Sequence, residues 1–153
     1  MTALGRTPSQ TVGPFFSIGL VRDEQRTIVD GGSVRLVGRV LDGADGPVPD
    51  AVVELWQRGE DGTRWGRAGT DADGRFEFLT ETPPDGYADV LVFARGLLKH
   101  LRTRCYLSAA EDDPLLSALE PAHRDTLIAV PEDGALRFDI RLQGDRQTVF
   151  FAV

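Results

Sequence analysis

The sequence predicts an all-β fold: an antiparallel Greek-key β-sandwich with an N-terminal arm and one short helix. Three observations carry this. Asp-Gly pairs recur at Asp42-Gly43, Asp45-Gly46, Asp61-Gly62, Asp73-Gly74, Asp85-Gly86 and Asp133-Gly134, and both residue types tolerate the backbone that tight turns require. The runs between them are short and rich in Val, Leu, Phe and Arg. Only one segment carries helix signals, and many short strands with turn signals and little helix form a sandwich.

The elements follow in order. Residues 1–30 read as an arm and loop, and residues 31–153 as the sandwich, the whole forming one domain. "SVRLVGRVL" (Ser33 to Leu41) and "AVVELWQ" (Ala51 to Gln57) read as strands, with Pro47 and Pro49 between them and Ala51, Val53 and Leu55 packing inward. "GRFEFLT" (Gly74 to Thr80) alternates, placing Phe76 and Phe78 on one face, and Asp73-Gly74 is expected to close a hairpin onto them. "ADVLVFARG" (Ala88 to Gly96) is a nearly continuous apolar run, as in a central strand. "LRTRCYL" (Leu101 to Leu107), "ALRFDIRLQG" (Ala135 to Gly144) and "QTVFFAV" (Gln147 to Val153) complete the set. From Leu136 to Leu142 apolar and charged residues alternate strictly, the pattern of a half-exposed strand. In "EDDPLLSALE" Asp113 suits the N-cap and Pro114 the first helical position, while Leu115, Leu116 and Leu119 share a face.

With 153 residues the chain favours a single domain large enough for a core. Its composition is that of a soluble globular protein, no apolar run approaches a membrane span, and no secretory signal is expected at the N-terminus. Cys105 is the sole cysteine, which excludes an internal disulfide and cysteine-built zinc sites and points to a reducing, cytoplasmic compartment. The net charge of -7 repels nucleic acid and anionic membranes, so neither is expected as a partner. It also repels a small anionic substrate, so any anion site must be a local cationic pocket.

Catalytic groups are sparse. There are two histidines, His100 and His123, and two tyrosines, Tyr87 and Tyr106. His123-Arg124-Asp125 has the spacing of two ligands of a facial iron triad, but a third would have to come from His100 on a different element; the alternative is a solvated histidine after a helix. No serine stands in a nucleophile elbow, and no Gly-rich phosphate loop precedes a helix. Most carboxylates sit in Asp-Gly turns, where they shape backbone.

"GRVLDGADGPVPDAVVELWQ" followed by "GTDADGRFEF" looks like the Greek-key module of transthyretin-like and adhesive domains, which implies only structure or binding. The rest is more specific. "TPSQTVGPFF" (Thr7 to Phe16), "ELWQ" (Glu54 to Gln57), "FARG" (Phe93 to Gly96), "RTRCYL" (Arg102 to Leu107) and "RFDIRLQGDRQTVFF" (Arg137 to Phe151) together resemble the intradiol ring-cleaving dioxygenases, and within them the alpha subunits of the protocatechuate-cleaving enzymes. The resemblance implies a hetero-oligomer of alpha-beta units. In it, a homologous catalytic beta subunit holds non-haem Fe(III) through two tyrosines and two histidines, and protocatechuate and O2 react at the subunit interface to give 3-carboxy-cis,cis-muconate, in aromatic catabolism by the beta-ketoadipate pathway. It implies an alpha chain that binds no metal, carries no catalytic residue and completes its partner's pocket.

The same resemblance places Tyr87 and Asp89 where the catalytic subunit has its His-x-His pair, and Tyr106 at a structural tyrosine position. Between Gly62 and Gly69 the chain is shorter than the family pattern, in the region of one ligand tyrosine; Trp65 is the nearest aromatic there. Thr11, Gly13, Pro14 and Arg95 are implied as substrate-pocket residues, with Pro8 and Pro14 stiffening the arm and Gly13 admitting a close ligand approach. Arg95, at the end of an apolar strand, is expected to have dry neighbours and to face the substrate carboxylate, or else to serve in a structural salt bridge. The arm in turn lines a pocket, or only docks by burying Phe15 and Phe16. Arg102, Arg104, Arg137 and Arg141 read as sheet-surface charges or interface pairs, and "RQTVFFAV" as a bare edge strand that an assembly would cover. Two other readings stay open: a stand-alone β-sandwich binding module, and a catalytic subunit with rearranged iron ligands.

Overall fold

The computed structural model describes residues 5–108, 110 and 112–152. Its arm holds a short helix, α1 (Phe16–Leu20), and a single 3-10 turn (Asp23–Arg26). Nine strands follow: β1 (Val34–Leu41), β2 (Val52–Gly59), β3 (Gly62–Gly69), β4 (Arg75–Thr80), β5 (Tyr87–Phe93), β6 (Leu101–Tyr106), β7 (Val130–Glu132), β8 (Ala135–Arg137) and β9 (Ile140–Arg141), with α2 (Pro114–Ser117) and α3 (Pro121–Asp125) between β6 and β7. One sheet runs β4-β1-β8-β7, with β9 also paired to β1; the other runs β3-β2-β5-β6.

Period-two alternation places the core. Leu36 and Val40 from β1, Val53 and Leu55 from β2, Phe76 and Phe78 from β4, and Val90 and Val92 from β5 are all buried in one cluster between the sheets. A second, smaller cluster of Tyr106, Leu116 and Leu127 lies under α2. Asp113 caps α2 as expected, accepting bonds from the Leu115 and Leu116 amides at 2.8 and 3.2 Å.

Several expectations are corrected. The β2–β3 hairpin, with Gly59 opposite Gly62, adds a strand the sequence reading lacks. Asp73-Gly74 does not close a hairpin: β3 and β4 lie in different sheets, so this turn is the corner where the chain changes sheet. A second short hairpin turns at Asp133-Gly134, joining β7 to β8 with φ of 48° and 77°, the left-handed pair a type I′ turn needs.

The 135–144 run is not one strand. β8 and β9 both lie parallel to β1, and the chain steps between them at Phe138 and Asp139. Gly38 permits this, since a Cβ there would sit 1.9 Å from the Phe138 carbonyl oxygen. The C-terminal run forms one bridge, Phe151 to Arg102, rather than a strand, and Phe150 and Phe151 are half-buried against the two clusters. It is therefore not a bare edge; Val153 lies outside the described residues. Three short helices replace the single expected one.

Candidate functional site

The first part of the arm meets the body at the turn after β5. The turn after β5 closes with the Leu97 amide donating to the Ala94 carbonyl at 3.2 Å, and Gly96 takes a φ of 92°, a conformation that favours glycine. This leaves the Gly96 amide pointing outward, where it donates to Thr11 Oγ1 at 2.7 Å. Thr11 and Arg95, 84 positions apart in sequence and both expected at a pocket, are thus brought together. Gly13 and Pro14 lie just beyond Thr11 and are exposed, and a Cβ on Gly13 would meet open space. On this chain alone, nothing crowds Gly13.

On this chain alone Arg95 forms the salt bridge of its second reading, without the dry neighbours of the first. β5 ends at Phe93, and Arg95 stands on the turn with a half-exposed guanidinium 3.3 Å from the equally exposed Asp50. Its neighbours are not dry in this chain. An exposed pair of this kind contributes little and releases its partners readily. Of the arm's two aromatics, Phe15 is 74% exposed while Phe16 is half-buried, and Ile18 beside them is 72% exposed. Between arm and turn lies a cleft of about 70 Å³ lined by Gln10, Val12, Phe93, Leu97, Lys99 and His100. Lys99 is absent from the residues that sequence reasoning selected; its signal is that it is the chain's sole lysine.

The second cluster occupies the outer face of β5 and β6, where Tyr87 pairs with Tyr106 and Asp89 with Arg104 across the strands. Arg104 is its hub. Its guanidinium carbon lies 4.1 Å from the Tyr87 ring centroid, and its nitrogens lie 3.4 Å from Tyr106 Oη, 3.5 Å from Asp89 and 3.9 Å from Asp113. Asp89 is also held by Arg102 at 3.1 Å. Burial pushes the Tyr106 hydroxyl above the usual phenol range, opposed by the bond from Arg104.

The cluster also shows whether iron fits here. Tyr87 and Asp89 stand where the resemblance has two imidazoles, but Asp89 is neutralised by two arginines and the Tyr87 ring is covered by a permanent cation. A ferric ion would have to displace Arg104 against its own charge, so these residues do not fit it. Among the described residues, no three His, Cys, Asp or Glu side chains gather as a metal site needs. His123 and Asp125, on and at the end of α3, do not come together with His100, which packs on Phe93 with ring centroids 5.4 Å apart. Trp65, in the shortened region, stacks on its cross-strand neighbour Trp56 at 5.6 Å.

Other arginines on the sheets are committed to carboxylates. Arg137 pairs with Glu132 and Asp139 at 2.9 and 2.6 Å, Arg141 with Asp45 at 3.1 Å, and Arg67 with Glu54 at 2.6 Å. No helix among the described residues is long and apolar enough to cross a membrane.

Comparison with known proteins gives this geometry its context. No family model matches the chain. The chain is 34% identical to the protocatechuate 3,4-dioxygenase alpha chain of Burkholderia cepacia, covering all of both chains, and 32% identical to that of Pseudomonas putida, covering 97% of this chain and 96% of the relative. The first alignment extends over 197 residues against 153 here, so that relative carries segments this chain lacks. Among solved structures, the dioxygenase domain of a carbohydrate-binding fusion from Streptomyces sp. SirexAA-E matches with a TM-score of 0.58 at 22% identity, covering 92% of this chain and 99% of that one. Catechol 1,2-dioxygenase from Pseudomonas arvilla C-1 matches with a TM-score of 0.55 at 24% identity, covering 77% and 55%. These structural likenesses show the shared sandwich.

Proposed function

From the membership of this chain in the protocatechuate 3,4-dioxygenase alpha-chain family, to which it belongs by full-length similarity, we propose that it is the alpha subunit of such an enzyme. It works in a hetero-oligomer with a homologous beta subunit, which holds the non-haem Fe(III). There protocatechuate and O2 combine, the ring opens between its two hydroxyl-bearing carbons, and both oxygen atoms appear in 3-carboxy-cis,cis-muconate. The assembly is proposed to be cytoplasmic, and the whole chain to act as one domain.

The observation that carries this reading is the Arg104 cluster. The positions that resemblance assigns to metal ligands are occupied by a phenol and a carboxylate already bound to cations. The chain therefore contributes binding surface, and its partner the metal. That surface is the arm and the β5–β6 turn. Thr11, Gly13 and Pro14 line the partner's pocket, and Arg95, held only by an exposed pair with Asp50, turns to the substrate carboxylate when the partner excludes water. A guanidinium offers a carboxylate two parallel bonds, and it supplies locally the positive potential that a chain of net charge -7 lacks.

The exposed arm agrees with this. Phe15 and Ile18 are largely uncovered on their own chain, and Leu20 is partly so, as expected of side chains that pack on another subunit. The test is Arg95→Ala and Arg95→Lys in the assembled protein, followed by protocatechuate-dependent oxygen uptake. The reading predicts a KM raised at least tenfold by the first change and less by the second, about 1.4 kcal/mol or more of lost binding. An unchanged KM for both would remove Arg95 from the pocket.

A further inference from the structure

We infer that Lys99 is a second carboxylate-recognising cation of this site, acting beside Arg95 to select an anionic substrate; the inference rests on the functional reading above. Of the chain's seventeen Lys and Arg residues, Lys99 is the one lysine, and it stands on the segment that the arm touches. Thr11 binds the Gly96 amide from one side. Gln10 and Val12, which flank Thr11, share the small cleft with Lys99. Arg95 and Lys99 thus flank, along the chain, the Gly96 amide that holds Thr11.

Their partners differ. Arg95 is shared with Asp50, whereas Lys99 is exposed and makes no ion pair among the described residues. The cleft of about 70 Å³ is far below the roughly 300–1,000 Å³ of sites that enclose a ligand. Lys99 therefore acts from a rim, on a substrate held mainly by the partner.

The two residue types complement each other there. A guanidinium fixes a carboxylate in one plane, while an ammonium on a flexible stem adds a point charge that follows it. Lys99 thus adds long-range attraction, which salt screens, and the chain's overall negative charge makes that local attraction necessary.

The test uses the assembled alpha-beta protein and two substrates of nearly equal shape, protocatechuate and its uncharged amide, 3,4-dihydroxybenzamide. At about 20 mM ionic strength Lys99→Ala is expected to raise KM for protocatechuate about fivefold with kcat unchanged, and the effect is expected to shrink below about twofold at 0.5 M salt. Lys99→Arg is expected to restore most of it, and KM for the amide to stay constant. A KM for protocatechuate that does not move, or that moves equally for the amide, overturns the inference while leaving the subunit reading intact. A wild-type assembly with no protocatechuate-dependent oxygen uptake overturns both. An independent readout uses this chain's single lysine: anaerobic protocatechuate is expected to slow acylation of Lys99, followed by mass spectrometry, at least threefold. Labelling that is indifferent to protocatechuate counts against the inference.

Discussion

Replacing Arg104 by alanine separates the role assigned to its cluster from that of an ordinary surface arginine. The guanidinium stacks at 4.1 Å over Tyr87, a partly desolvated cation–π contact worth about 1 kcal/mol. Its pair with Asp89 at 3.5 Å, with side chains 21% and 31% exposed, adds about 0.5–1 kcal/mol. The 3.4 Å bond to Tyr106 Oη is long and adds about 0.5 kcal/mol. Together the loss is about 2 kcal/mol, which for a chain of this length lowers Tm by roughly 4–8 °C. Arg102→Ala is the control: Arg102 is 41% exposed and Asp89 keeps Arg104, so the expected cost is about 0.5 kcal/mol or less. Thermal unfolding followed by circular dichroism, with both variants measured side by side, reads the difference. A double-mutant cycle of Arg104→Ala with Tyr87→Leu is expected to give a coupling of about 1 kcal/mol. If Arg104→Ala melts within about 1 °C of Arg102→Ala, the hub is an incidental surface contact and the argument against a metal here loses its physical basis.

Other changes test the fold and the site. Gly38→Ala would put a Cβ 1.9 Å from the Phe138 carbonyl and 2.7 Å from the Phe76 ring, and the overpacking is expected to cost about 3 kcal/mol in chemical denaturation. Gly13→Ala meets open space; it is expected to leave Tm within about 1 °C while raising KM for protocatechuate in the assembled protein, because the crowding arises only against the partner. Asp113→Ala removes the cap of α2 and is expected to lower Tm by about 3 °C, from a loss of about 1 kcal/mol. Burial pushes the Cys105 thiol well above its ordinary value. The native state therefore keeps its proton when the unfolded chain releases one, so stability is full below about pH 8.5 and falls as pH rises beyond it. Cys105→Ala should flatten that alkaline decline in denaturant titrations, and the native thiol should resist thiol reagents at pH 8.

The alternating strands were readable because one residue in two is large and apolar. β1, β2 and β4 have this form, β5 is legible as a nearly continuous apolar run, and these strands and β6 lie within two or three residues of their expected limits. β3 was not, because its core-facing positions are Gly66 and Ala68, with Ile28 and the Gln25 carbonyl packed against Gly66. A different signal was available: Glu54 and Trp56 mirror Arg67 and Trp65 about the Glu60-Asp61 loop, and the structure pairs them in that register. The break after β8 was invisible for a tertiary reason. Residues 136–142 keep their alternation, with Phe138 and Ile140 buried, while the backbone steps over Gly38. The C-terminal segment reads as a strand, yet it is held by side-chain bonds of Thr103 and Thr148 to Val149 and Arg141 and by separate backbone bonds of Thr148 and Phe151 to the Arg141 and Arg102 carbonyls rather than by a continuous ladder. At the site, the motif-bearing residues Thr11 and Arg95 could be named from resemblance, but the bond joining their segments is a consequence of the Gly96 turn. Lys99 has no pattern of its own and gains meaning only from its place beside the arm.

The central claim is a division of labour: this chain supplies pocket surface and its partner the iron. The most direct test purifies the chain alone and co-expressed with its beta-like partner, and assays both for bound iron and for protocatechuate-dependent oxygen uptake. Iron and uptake in the co-expressed assembly, with neither in the chain alone, is the predicted result. Stoichiometric iron with oxygen uptake in the chain alone would contradict the account and would mean that Tyr87, Asp89 and the two histidines rearrange around a metal that Arg104 has not excluded.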